Sequence, residues 1–283
     1  MAIEDTLNRI HGSLIAAGLL AGALFGCTPN YTLVEPSLTA CDPTAPRAGV
    51  LRVASYNLKS GLETSLDQVA SAIEQLSPDI IGLQEVDRFV DRTGKVDQAK
   101  VLADRLGYQE IYAAAIDRGG GSYGIALLTR LPVASVNRVN LTALGSYEPR
   151  VAIDAQVCVG PQSLRVVATH ADVLAASANV AALAARFAPS VGQGLIILGD
   201  LNEKPSGTGP KKLRSAGLQD LIGAKAEGVT FWPNSSRIDY LFVDGPLSEH
   251  AVSAGIEQNK ASDHYPVYVD FDLKDGWTPT AAL

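Results

Sequence analysis

Short apolar runs that stop at an acid, an amide or a histidine recur along most of this chain. Leu51 to Asn57 alternates between core-type and other residues and then meets Lys59-Ser60-Gly61, which predicts a strand ending in a loop. Ser65-Leu66-Asp67-Gln68 reads as a capping box, and Leu66, Val69, Ala70, Ile73 and Leu76 follow at helical spacing until Pro78. Asp79 to Leu83 is a short, nearly continuous apolar run, the pattern of a strand buried on both faces, and it delivers Gln84-Glu85 at its end. A second helix is predicted from about Gln98 to Leu106, with Gly107 as its C-cap.

Strands then dominate. Gln109–Ala115, Ile125–Thr129 and Val133–Asn140 read as neighbours, with Gly119-Gly120-Gly121 as a hairpin loop, because no helix start follows those glycines as a phosphate-binding loop requires. Arg150–Val159 and Leu164–Thr169 form the next pair, ending in His170. An alanine-rich helix, Val173 to Phe187, is halted by Pro189, and Leu195–Leu198 is a buried strand ending in Gly199-Asp200-Leu201-Asn202. A short helix around Lys211 to Ala216 precedes strands at Ile238–Val243 and Pro266–Phe271. About ten strands with four interspersed helices fit two sheets packed face to face, with helices outside.

With 283 residues and 47% hydrophobic content, the chain can bury one large core, and a single domain over about residues 50–273 is expected, with 274–283 as a tail. The formal charge of -7 comes without any basic block, which argues against tight binding to long nucleic acid. A monomer is expected.

Ser13 to Phe25 is apolar or small throughout, follows Arg9 and His11, and is too short to span a bilayer, so residues 1–26 read as a signal peptide. Its end, Leu24-Phe25-Gly26-Cys27, resembles a bacterial lipobox, which implies a lipid on Cys27 and an exported, lipid-anchored protein of the bacterial cell envelope. Phe25 stands where a small residue is usual, so ordinary cleavage, giving a soluble periplasmic or secreted protein, and an uncut anchor are the rival readings. Residues 28–49 contain Pro29, Pro36, Pro43 and Pro46 without apolar periodicity and read as a tether. None of the three cysteines has zinc-site spacing. With Cys27 lipidated, Cys41 and Cys158 either pair in an oxidising compartment, or Cys158 is an inert buried thiol inside its strand.

Asn57, Glu85, His170, Asp200, Asn202, Asp239, Asp263 and His264 all stand at strand termini. A charge inside an apolar strand is costly, so polar termini are either solvent-facing or members of one converging site. The set is rich in oxygen and poor in sulfur, which suits a hard cation such as Mg2+ or Mn2+.

Ser55-Tyr56-Asn57, Gln84-Glu85-Val86-Asp87-Arg88, Gly199-Asp200-Leu201-Asn202, Arg237-Ile238-Asp239-Tyr240 and Ser262-Asp263-His264-Tyr265-Pro266 together resemble the successive signatures of the endonuclease/exonuclease/phosphatase (DNase I-like) superfamily. The resemblance covers roughly residues 50–273 and implies an α/β fold, a four-layer sandwich of two facing mixed β-sheets flanked by helices, with its site at the mouth between the sheets. It also implies a divalent cation, Mg2+ or else Mn2+ or Ca2+, held by Glu85 with help from Asn57 and Asp263. Asp200 and Asn202 would orient a water or second cation, His264 would be general base or phosphate clamp, Asp239 would orient His264, and His170 would contact phosphate or leaving group.

Arg92-Thr93-Gly94 with Asp97-Gln98, Tyr123-Gly124-Ile125-Ala126 and Glu148-Pro149-Arg150 further resemble a compact bacterial group related to the domain of GPI-anchor-remodelling proteins. Arg150 would bind substrate phosphate or pair with Glu148; Tyr123 would be pocket wall or core; Asp172 would steady His170 or cap the next helix. The expected function is a membrane-tethered, metal-dependent phosphoesterase acting on a phosphate-ester substrate, with a lean to lipid headgroups or small organic phosphates. A DNA or RNA nuclease of the same superfamily is the alternative, and a non-catalytic surface module the second.

Overall fold

Strands whose consecutive residues are all apolar need cover on both faces, and two facing sheets with outer helices supply it. The computed structural model describes residues 32–277 apart from 47, 142–147 and 227. The expected signal peptide, the lipobox with Cys27 and the end of the tail lie outside the described residues.

The first sheet is assembled from β1 (Leu33–Val34), β2 (Val50–Asn57), β3 (Ile80–Arg88), β4 (Gln109–Arg118), β5 (Gly121–Thr129), β12 (Ala251–Ile256) and β13 (Val267–Asp272), in the spatial order β1-β4-β5-β3-β2-β13-β12. The second holds β6 (Val133–Asn140), β7 (Val151–Val159), β8 (Gln162–His170), β9 (Leu195–Asp200), β10 (Leu218–Asp220) and β11 (Asp239–Asp244), in the order β10-β11-β9-β8-β7-β6. Each sheet is mixed: β2 and β3 are its parallel pair in one, β8 and β9 in the other, and the remaining neighbours are antiparallel. Helices α1 (Leu66–Leu76) and α2 (Gln98–Leu106) cover the first sheet, and α3 (Ala176–Phe187) and α4 (Thr208–Ser215) the second. Two further short helices are α5 (Leu221–Lys225) and α6 (Gly245–Ser248).

Alternation decides which side chain goes where. Val53, Ile80, Ile196 and Leu198 enter the core between the sheets, whereas Ala54 and Ile81 pack under α1 and α2, and Ile197 under α3 and α4. The sheets approach so closely at Gly82 that a Cβ there would lie 2.1 Å from Leu198 Cδ1. The expected four-layer sandwich is therefore the observed one.

Helix boundaries follow local chemistry. Ser65 accepts a hydrogen bond from the Gln68 amide at 3.3 Å, Asp97 caps α2 through Lys100 N, and Gly107 closes it in the left-handed conformation. The alanine-rich helix starts at Ala176 rather than Val173, because Asp172 Oδ1 accepts from the amides of Leu174 and Ala175 and holds a turn ahead of it.

Four expectations change. Ile125–Thr129 and Val133–Asn140, read as neighbouring strands, lie in different sheets, as parts of β5 and β6. The segment read as a tether is partly docked: Leu33 and Val34 pair with Ala113 and Tyr112, Thr39 N donates to Val133 O at 2.8 Å, and Cys41 is disulfide-bonded to Cys158. The tail is not free at its start, since Trp277 is buried in the inter-sheet core and its carbonyl accepts from Gln162 Nε2 at 2.7 Å. Strand β3 does not stop at Leu83 but runs to Arg88, interrupted by a bulge that sets Gln84 and Glu85 out of register.

Candidate active site

Both parallel pairs end at the same edge of the sandwich, where the C-terminal ends of β2, β3, β8 and β9 meet the starts of β11 and β13. Asn57, Glu85, His170, Asp200, Asp239 and His264 are all delivered there. The β3 bulge places Glu85 at φ 56°, a left-handed conformation that costs a non-glycine residue about 1–2 kcal/mol and turns its carboxylate to Asn57. Gly199 has φ 143°, and a Cβ there would lie 2.0 Å from Thr169 O, so only glycine lets the strand close on β8 just before Asp200.

Asn57 joins the two sheets. Its Nδ2 donates to Glu85 Oε1 and to Asp200 Oδ2, both at 3.1 Å. Asp200 Oδ2 is also 3.6 Å from His170 Nε2 and 3.7 Å from His264 Nε2, while Asp200 Oδ1 accepts from the Asn202 amide at 2.8 Å. Asn202, at φ 51°, turns its Nδ2 to Ala171 O at 2.9 Å and to His170 Nε2 at 3.1 Å.

The two histidines meet opposite surroundings. His264 donates Nδ1–H to Asp239 Oδ2 at 2.9 Å and faces Asp200 with Nε2, so acceptors stand at both ring nitrogens. Burial opposes its charge, but Asp239, Asp200 and Asp263 together override burial and push His264 up to about 10. His170 has Arg150 Nη1 at 3.4 Å from Nδ1, while its Nε2 lies between Asn202 Nδ2 and Asp200 Oδ2. Burial, then Arg150 and His264, hold its pKa well below the ordinary value, so His170 is neutral. Burial and the nearby Asp239 raise Asp200 to about 7, against the opposing pull of His264, the Asn202 amide and Asn57.

Asp200, Asp239 and His264 offer ligand atoms within 4.8 Å of one another, and Glu85 adds a further carboxylate through Asn57. Asp239 Oδ1 is buried with no hydrogen-bond partner. Three carboxylates, one of them with an unmatched oxygen, fit a hard divalent cation. Asp263, expected to help hold the cation, pairs with Lys59 Nζ at 2.9 Å, and Lys59 also contacts Glu63.

Arg150 and Tyr123 lie together rather than apart. Arg150 is buried, pairs with Glu148 at 3.2 Å, and leaves Nε without a partner; its guanidinium lies 5.9 Å from the Tyr123 ring centre. Glu148 also pairs with Arg118, which covers the same ring at 4.7 Å, and its amide donates to Asp172 at 2.7 Å. Asp172 thus both caps the turn before α3 and anchors Glu148. Sequence reasoning missed Lys59, Arg118 and Phe231, whose ring centre is 4.7 Å from that of His264. Lys59 follows Asn57 by two residues and was open to notice; Arg118 and Phe231 carry no local signal.

Among curated proteins no sequence matches. Among solved structures, a Bacteroides thetaiotaomicron endonuclease/exonuclease/phosphatase family protein is 23% identical with a TM-score of 0.63, the alignment covering 80% of this chain and 100% of that one. A mannosyl-6-phosphatase from the same species is 24% identical with a TM-score of 0.63, over 77% of this chain and 98% of that one. The human Nocturnin catalytic domain, with bound sulfate, is 23% identical with a TM-score of 0.62, over 88% of this chain and 97% of that one. These likenesses establish the fold, and the family model for Endonuclease/Exonuclease/phosphatase family matches residues 54–264, so the chain belongs to that family, whose members are hydrolases of phosphate esters.

Proposed function

We propose that the protein is a divalent-metal-dependent phosphoesterase, exported and membrane-tethered, that hydrolyses a phosphate ester of a lipid headgroup or small organic phosphate. The observation that carries this reading is the convergence of His170 and His264 on Asp200 Oδ2, beside the Asn57–Glu85 pair. Glu85 and Asp200 would be the oxygen donors for Mg2+, Mn2+ or Ca2+, held together by the Asn57 Nδ2 that donates to both, in a family that is typically divalent-metal dependent. Such a cation would neutralise charge on the phosphate.

Cationic His264, steadied by Asp239, holds a phosphoryl oxygen and stabilises the charge that grows on it. Asp200, held by the Asn57 side chain and the Asn202 amide and facing both histidines, orients the attacking water. Neutral His170 and the Arg150 guanidinium beside it form the opposite wall and contact the ester. Export is supported by the Cys41–Cys158 disulfide, since such bonds persist in oxidising compartments.

The test is turnover of bis-p-nitrophenyl phosphate, phosphatidylcholine and plasmid DNA with Mg2+, Mn2+ or Ca2+, beside His264→Ala and a chelator. Ester or lipid hydrolysis lost in both controls supports the reading. Plasmid nicking with the same controls would move it to a nuclease, and silence on every substrate would sink it.

A further inference from the structure

Nine large hydrophobic side chains are exposed among the described residues, and five of them, Leu62, Phe89, Val173, Leu174 and Trp232, sit on loops at the active-site edge. Leu62 ends the turn that follows Asn57, and Phe89 follows β3 directly. Val173 and Leu174, 66% and 72% exposed, lie between His170 and α3 and flank a cavity of about 310 Å³ that Asn202 and Glu203 also line. Trp232, 41% exposed, is pinned by Nε1–H to Ser262 O at 3.0 Å, next to Asp263 and His264. Scattered exposed apolar residues need no explanation, but a majority gathered around one cleft marks an interaction surface.

The path of the chain says what lies opposite. Strand β1 is antiparallel to β4, which runs toward Arg118 and the Gly119-Gly120 turn at the active-site edge. Going backward from Leu33 therefore leads toward that edge, and Thr32 already lines a cavity with Phe89, Arg118 and Gly120. Cys27 stands five residues before Thr32, a span of at most about 18 Å for extended chain. A lipid there would hold the cleft close to the bilayer, which a tether reaching to residue 49 would not have done.

Most charges at this edge pair off, Lys59 with Asp263, Arg88 with Asp97, Arg92 with Asp87, Arg118 with Glu148 and Arg237 with Asp220, and Lys204, exposed two residues after Asn202, stands alone rather than in a stripe. No unpaired basic stripe among these residues selects an anionic surface, so contact rests on apolar insertion into a zwitterionic one.

Resting on the reading of Cys27 as lipid-bearing and of the site as a phosphoesterase, we propose that the apolar rim docks on a phospholipid bilayer, so that the cleft opens onto the membrane and takes its phosphate ester from a phospholipid headgroup. Leu174 and Val173 enter on one side of the cleft, Trp232 on another and Leu62 and Phe89 on a third.

The two tryptophans test this in the full lipidated chain, reconstituted on phosphatidylcholine vesicles with brominated acyl chains. Trp232 stands at the rim, whereas Trp277, 4% exposed, packs by Gly194 and Gln162 at the opposite edge. The Trp232 emission, obtained by difference from Trp232→Phe, is expected to fall about twofold or more, with Trp277 unquenched. Val173→Asp with Leu174→Asp should abolish that quenching and slow hydrolysis of vesicle phospholipid about tenfold or more, while bis-p-nitrophenyl phosphate turnover stays within about twofold. Quenching of Trp277, or of neither indole, would overturn the orientation. Quenching of Trp232 without hydrolysis of any ester would overturn the phosphoesterase reading and its lipid substrate, leaving the membrane-facing orientation supported.

Discussion

Replacing Asp239 by Asn keeps the shape of the side chain but removes the charge that faces His264 Nδ1 at 2.9 Å. In the intact, metal-free site His264 is raised to about 10 from an ordinary value of about 6.5, a gap worth about 5 kcal/mol between the two protonation states. Without Asp239 the penalty of burial is no longer overcome, and the midpoint should fall to about 6.5 or lower. At pH 8 the ring would then pass from about 99% to about 3% protonated or less. Because the folded-state pKa is raised, the stability it confers is fully present below about pH 6.5 and is lost as pH rises through about 10. Urea unfolding of the metal-free protein at pH 7 and pH 10 should show that loss in the parent and little of it in Asp239→Asn. Imidazole NMR titration reads the midpoints directly, and kcat/KM at pH 8 should drop about a hundredfold or more. A parent midpoint at or below 6.5, or an unchanged midpoint in the variant, would refute the assignment of His264 as the cationic group.

Divalent ions should raise the melting temperature more at pH 8 than at pH 5, because Asp200, pushed up to about 7, holds a proton in acid that the cation must displace. Glu85→Gln should erase most of that shift in differential scanning fluorimetry, and an equal shift at both pH values would argue against Asp200 as a ligand. The Cys41–Cys158 bond, with its sequence separation of 117, stabilises by about 5 kcal/mol through the unfolded chain. Cys41→Ser with Cys158→Ser should therefore lower the melting temperature by about 10 °C or more by calorimetry, and a drop of less than about 3 °C would refute this.

Asn57, Glu85, His170, Asp200, Asp239 and His264 were legible because each is a polar side chain bordering an apolar run, and so many such borders favour one converging site. The distribution of roles was less so. Asp263 looks like any other strand-edge carboxylate until the fold brings Lys59 across to it. The bulge at Glu85 was invisible, since alternation cannot show an extra residue inserted into a register that is apolar on both faces. Strand β1 has only two residues between prolines, and β12, Ala-Val-Ser-Ala-Gly-Ile, is mostly half-exposed and small, so neither carries a period. Trp277 gave no signal because its partners, Gly194 and Leu164, are distant in sequence.

Asn57 belongs to one sheet and Asp200 to the other, and a single amide nitrogen bonds across the gap at 3.1 Å. Hydrolysis would therefore report on the seam between the sheets rather than on either sheet's own integrity. Mild denaturation that lets the layers slide by an ångström would silence the proposed hydrolysis while the strands and helices, and hence the circular dichroism, stayed intact. For the same reason neither half of the sandwich, expressed alone, would carry a fraction of the activity.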